Sequence, residues 1–269
     1  MRVRLLALVS AVALFLLGAA PASASLEGHT YLALGDSVAF GYSPLLVRAG
    51  LAGDPHVFVG YPEIAANNLG MQDVNASCPG ETTGGFISLT NGADYKCLGY
   101  RSFFPLHVGY TTSQLDFAIS YLSSHHDVRL VTIDIGANDV FKAGCTGAAC
   151  APVLAAIEAN LRYIFGQIRN VAHYHHALVA VTYYSLSYDK LSAAVTQALN
   201  APIIAATDAF GGTVASGFDA FQGPALAAGG SSCAAGLLIV LAPGVCDVHP
   251  TPLGRDLLAQ AVVNAVTQD

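Results

Sequence analysis

The chain has 269 residues, 54% of them hydrophobic and only 11% charged, with six cysteines and no tryptophan. That length suits one domain with a sizeable core, and the formal charge of −7 argues against a nucleic-acid partner, because an acidic surface repels phosphate backbones. Beyond the amino-terminal segment no unbroken apolar run reaches membrane-spanning length, the nearest being the glycine-rich stretch 225–244.

At the amino terminus, Arg2 and Arg4 precede an apolar run from Leu5 to Ala20, and Ala22-Ser23-Ala24 follows it. This is the layout of a cleavable secretory leader, so the expected organisation is a signal peptide over 1–24 and a single domain over 25–269. Losing Arg2 and Arg4 takes the formal charge from −7 to −9. The mature chain is expected to be secreted, soluble and monomeric, without stable membrane insertion. All six cysteines, Cys78, Cys97, Cys145, Cys150, Cys233 and Cys246, lie in the mature part. An even count in an exported chain points to disulfides rather than a metal cluster. Six cysteines allow fifteen connectivities. Sequential pairing, which closes only short loops, gives Cys78–Cys97, Cys145–Cys150 and Cys233–Cys246, each worth roughly 2–4 kcal/mol.

In chain order, short β-branched or aromatic runs predict strands at 30–34, 73–77, 129–135 and 177–184, with a weaker candidate at 214–221. Between them lie helical patterns. The segment 61–70 ends on Gly70 as a C-cap, and 112–122 opens with Ser113-x-x-Asp116 as a capping signal. The segment 152–172 starts at Pro152 and carries a stripe of Leu154, Ile157, Leu161, Ile164, Phe165 and Ile168. A last helix is expected after Gly254. Strands alternating with helices predict an α/β fold: three layers around a doubly wound, mostly parallel sheet of about five strands. In such sheets the functional crevice lies beyond the carboxyl ends of the strands.

Four segments fall at that end: Gly35-Asp36-Ser37, the run 78–85 (CPGETTGG), the run 134–139 (DIGAND), and the run 246–254 (CDVHPTPLG). A hydrolytic serine needs a base, oxyanion donors and a group that orients the base, and these segments contain all three. In motif order the chain resembles the GDSL or SGNH hydrolases, with 78–83, 100–122 and 247–254 closest to secreted actinobacterial-type lipases and esterases. The resemblance implies a flavodoxin-like fold, Ser37 as nucleophile, Gly80 and Asn138 as oxyanion contributors, and His249 as general base. Physically, Ser37 at a strand–helix junction can use the helix's positive end, its own N–H, the N–H of Gly80 and the amide of Asn138. Read singly, Ser37 is equally a helix N-cap and Asn138 a turn residue.

The acid departs from the family pattern. An aspartate commonly stands three residues before the histidine, whereas Asp247 stands two before His249, in a loop that Pro250 and Pro252 would stiffen. Residues two apart in an extended segment share a side, so Asp247 can reach the imidazole; a backbone carbonyl near Cys246 is the alternative orienter. Asp36 and Asp139 are expected to bond their own loops, and Asp134 to lie in a strand. His125, His126, His173, His175 and His176 lie near strand starts, and no metal site or cofactor is expected. His107 is either pocket wall or a packed loop residue.

The implied activity is serine ester hydrolysis through an acyl-enzyme, on a lipid or small-molecule ester, with Phe103, Phe104, Pro105, Leu106 and 236–244 as candidate acyl-binding surface. A carbohydrate O-acetyl esterase is the enzymatic alternative, and a catalytically inactive secreted binding module the non-enzymatic one.

Overall fold

The structure, a computed structural model, describes residues 26–90 and 96–267. The leader expected over 1–24 lies outside them. In chain order the elements are β1 (Thr30–Gly35), α1 (Ser37–Phe40), α2 (Pro44–Arg48), α3 (Tyr61–Leu69), β2 (Gln72–Asn75), α4 (Thr83–Ile87), α5 (Cys97–Phe103), α6 (Gln114–Ser124) and β3 (Val128–Asp134). There follow α7 (Ala137–Ala143), α8 (Ala151–Asn170), β4 (Ala177–Thr182), α9 (Lys190–Ala209), β5 (Thr213–Ser216), α10 (Gly217–Ala227), β6 (Leu238–Ala242), β7 (Val245–Pro250) and α11 (Pro252–Thr267).

Strands β1 to β5 form one parallel sheet in the order β2-β1-β3-β4-β5. The interior strands β1, β3 and β4 are almost wholly buried and read as continuous apolar runs, as a sheet covered on both faces requires. Helices α3 and α11 pack together over the sheet, and α4, α6, α8 and α9 form the other layer. The stripe of α8 buries Ile157, Leu161, Ile164, Phe165 and Ile168 in the main core. This strand order reverses direction between β1 and β3, so the crevice opens beyond Gly35 and Asp134.

Several elements differ from the sequence expectation. The weak fifth strand ends at Ser216, not at residue 221: the Ser216 hydroxyl accepts from Asp219 N at 3.1 Å and starts α10. The last helix begins at Pro252 rather than after Gly254, with Thr251 capping it through Gly254 N. The segment carrying His249 is a strand rather than a proline-stiffened loop, because β6 and β7 pair antiparallel. Helix α9 had no counterpart in the sequence reading; it holds Pro202 inside, and Asp189 caps it through Leu191 N and Ser192 N.

Disulfides join Cys78 to Cys97, Cys145 to Cys150 and Cys233 to Cys246. The first lies in a small second core with Phe40, Phe58 and Leu106, and the last crosslinks the approach to β6 with β7.

Candidate active site

The site starts at the end of β1. Gly35 has φ +137°, and a Cβ there would stand 2.2 Å from the Asp134 carbonyl oxygen, so only glycine lets β1 run this close to β3. The Gln114 side chain, wholly buried on α6, accepts from Gly35 N at 2.5 Å and donates to Gly35 O at 3.1 Å. Gly35 O also accepts from Cys78 N, at 3.0 Å. The turn that presents Ser37 is thereby fixed from two sides. Asp36, not Ser37, is the N-cap of α1, its carboxylate accepting from Val38 N at 2.9 Å. Ser37 is the first residue of a four-residue helix, too short for a strong macrodipole; what that end offers is backbone N–H groups.

The Ser37 hydroxyl lies 2.9 Å from His249 Nε2, and Asp247 Oδ1 holds His249 Nδ1 and also accepts from His249 N at 3.1 Å. The two-residue spacing works because β7 is extended and puts both side chains on one side. Burial pushes the Asp247 carboxyl up, but the hydrogen bond and charge of His249 outweigh it, and the net direction is downward. Asp247 therefore stays ionised opposite the ring. The Tyr42 ring packs against the imidazole with centroids 4.8 Å apart. Tyr184, beyond β4, donates to Val248 O at 2.6 Å, and Arg255 donates to Pro250 O at 3.1 Å and Val59 O at 2.5 Å. These bonds grip β7 on both sides of His249.

Gly80 and Asn138 line the same cleft as Ser37 and His249. Gly80 sits at φ +80°, and a Cβ there would stand 2.4 Å from the Lys96 Cβ. Asn138 lies in the first turn of α7, and its Nδ2 donates to Asp36 Oδ2 at 3.2 Å. An amide oxygen cannot face a carboxylate oxygen at that distance, so the amide orientation is fixed and its second N–H is free of Asp36. Asp139 does not bond its own loop as expected. It accepts from Thr83 N at 2.9 Å and Thr83 Oγ1 at 2.6 Å, with Asn160 donating to Thr83 Oγ1 at 2.9 Å. The segment carrying Gly80 is thus tied to the helix carrying Asn138. Asp134 closes β3 and is buried.

The cleft measures about 790 Å³. Away from Ser37 its walls are Val140 and Phe141 of α7, Leu154 of α8, Leu186, and Val195 and Leu199 of α9. Its apolar surface therefore comes from α7 and α9, not from the segments anticipated. Of those, Phe104 and Leu106 pack in the second core, Phe103 is 81% exposed, and Leu238–Ala242 is strand β6. His107 is not pocket wall: its ring packs on Phe40 and its Nε2 meets Phe40 O at 3.1 Å. His125, His126, His173, His175 and His176 lie at the amino ends of β3 and β4, the far end of the sheet from Ser37. Sequence reasoning missed Tyr42, Gln114, Tyr183 and Tyr184. Tyr183 and Tyr184 follow β4, so the same carboxyl-end rule that selected the other segments would have found them.

The fold is shared with an acetylxylan esterase from Geobacillus stearothermophilus, 15% identical, with a TM-score of 0.53 over 90% of this chain and 95% of that one. It is shared equally with TesA, 17% identical, TM-score 0.51, over 89% and 99% of the two chains. An alpha/beta hydrolase from the metagenome of Lake Arreo, Spain, 14% identical, matches with TM-score 0.51 over 89% and 95%. At these identities the likeness is one of fold. No curated protein matches the sequence. The model of the GDSL-like lipase/acylhydrolase family does match it, over residues 33–257, and the chain belongs to that family.

Proposed function

We propose that the chain is a secreted serine ester hydrolase of the lipase/esterase type. The observation that carries this reading is Ser37 Oγ 2.9 Å from His249 Nε2, with Asp247 on the opposite ring nitrogen. In the first step His249 takes the Ser37 proton as the oxygen attacks the ester carbonyl. The tetrahedral oxyanion is met by the N–H groups of Ser37 and Gly80 and by the Asn138 amide. His249 then protonates the departing alcohol, leaving an acyl-Ser37, and activates the water that releases the acid. Asp247 holds the ring and stabilises the imidazolium. No cofactor enters these steps.

The cleft supports an apolar acyl group as substrate portion. Val140, Leu154, Leu186 and Leu199 line the same cleft as Ser37 and give it a largely apolar wall. Export is supported by the three disulfides and by the leader-like residues 1–24. The test is hydrolysis of p-nitrophenyl esters from acetate to palmitate by the mature protein and by Ser37→Ala. Activity lost in the variant, with rates rising beyond acetate, is the expected result. A strong acetate preference would favour carbohydrate O-acetyl ester hydrolysis, the activity named for the Geobacillus neighbour. Equal rates for both proteins would move the binding-module reading forward.

A further inference from the structure

Asp36 and Asp134, at the ends of the adjacent strands β1 and β3, are wholly buried, and the ester mechanism uses neither side chain. Their hydrogen bonding is lopsided. Asp36 accepts three: Val38 N at 2.9 Å, the Tyr183 hydroxyl at 2.7 Å and Asn138 Nδ2 at 3.2 Å. Asp134 Oδ1 is buried without a hydrogen-bond partner. Two neighbouring carboxylates cannot both stay charged in a buried site, so the pair holds a proton. Three donors select Asp36 as the charged member, which leaves the proton on Asp134. Tyr183 has one hydrogen and gives it to Asp36.

Resting on the hydrolase reading, we propose that Tyr183 and ionised Asp36 form a directed hydrogen-bond chain that positions the Asn138 amide for the oxyanion. The chain runs Tyr183 O–H to Asp36, with Asn138 N–H donating to the same carboxylate. Each link polarises the next. Asp36 is a positioning residue, acting through Asn138. Burial, followed by the charge of Asp36, pushes the Asp134 carboxyl well up. Burial likewise pushes Asp36 up to about 6, against the bonds from Val38 and Tyr183. Asp36 is faced by Asp134 from β3, Asp139 from α7, His249 from β7 and Tyr183 beyond β4; Asp134 is faced also by Tyr31, Tyr61 and Tyr184. As pH falls, protonation of Asp36 weakens the acceptor that holds Asn138, so turnover drops.

The test is a double-mutant cycle on p-nitrophenyl butyrate with Asp36→Asn, Asn138→Ala and the pair, with Ser37→Ala in parallel and kcat and KM resolved. Asp36→Asn and Asn138→Ala are each expected to cut kcat by about 10²–10³ with little change in KM, and the double variant to be no worse than the worse single. In Asp36→Asn the acid limb of the kcat profile should lose the part that belongs to Asp36. Tyr183→Phe, which removes one of the three donors on Asp36, should lower kcat about tenfold with little change in KM, a margin about that of one good hydrogen bond. Where Asp36→Asn does not fold, Tyr183→Phe takes its place in the cycle. Additive losses, an unchanged Asp36→Asn, or an unchanged Tyr183→Phe would overturn the chain while the hydrolase reading stands. Wild-type turnover that does not depend on Ser37 would overturn both.

Discussion

The two halves of the site are held by different means. Ser37 and Asn138 stand at the ends of buried parallel strands, and their surroundings are locked by hydrogen bonds inside the core: Gln114 on Gly35, Asp36 on Val38, and Asp139 on Thr83. His249 and Asp247 stand on a two-stranded hairpin outside the sheet, partly exposed, held by the Cys233–Cys246 bridge, by Tyr184 and by Arg255. The positions of Ser37 and Asn138 are thus set by burial, where a buried polar group without its partner is costly, and that of His249 by a covalent staple on a marginal element. A two-stranded ribbon alone would not keep an imidazole within 2.9 Å of a serine.

The sharpest break of that comparison is removal of the two reacting groups. Ser37→Ala and His249→Ala are each expected to lower kcat by roughly 10⁶, and the double variant by no more, as measured by ester turnover with protein fold checked by circular dichroism. Next, Asp247→Asn should cost about 10⁴, since the amide favours the wrong ring tautomer; a loss of only a few-fold would mean that a backbone carbonyl orients His249. On the nucleophile side, Gly80→Ala forces a side chain into Lys96 at φ +80°, and should cost about 10²–10³ in kcat if it displaces the backbone donor. On the base side, Cys233→Ser with Cys246→Ser should lower the unfolding free energy by about 2–5 kcal/mol in denaturant titration and reduce kcat while leaving KM nearly unchanged.

The smallest effect is in stability against pH. Asp36 has a folded pKa of about 6, above its unfolded value of 3.8, so the fold binds that proton more tightly. Its ionisation penalises the folded state above pH 6, and the penalty is relieved as pH falls through that window towards 4. Asp247 runs the other way, its folded value lying below the unfolded one, so the stability it contributes is lost at lower pH. Asp36→Asn should therefore flatten the rise of unfolding free energy between pH 6 and pH 4, and Asp247→Asn should not.

Much of this was legible in the sequence for identifiable reasons. Strands β1, β3 and β4 are buried on both faces and read as unbroken apolar runs, and α8 carries a clean 3.6-residue stripe. Three of the four site segments follow from the carboxyl-end rule once the strands are placed, while the fourth, carrying His249, stands on the hairpin and shows only as a motif. Helix α9 was missed because apolar residues also lie outside its buried side, with Leu191 74% and Val195 57% accessible, so no single stripe marks it, and Pro202 interrupts the pattern. The hairpin β6–β7 was hidden by its Pro243-Gly244 turn and by the bulged register within it. Long-range polar contacts leave no periodic trace: Gln114 meets Gly35 across 79 positions, and Tyr183 meets Asp36 across 147. Tyr42 lies five residues beyond Ser37 in plain view, but nothing local says that its ring will rest on a histidine more than two hundred residues away.

The most direct test of the account is the site and base-dependence of covalent labelling. Mature protein treated with a fluorophosphonate, digested and analysed by mass spectrometry should carry the adduct on Ser37, and His249→Ala should label far more slowly under the same conditions. An adduct on another serine, or labelling of Ser37 at an equal rate without His249, would contradict the nucleophile–base pair on which the account rests.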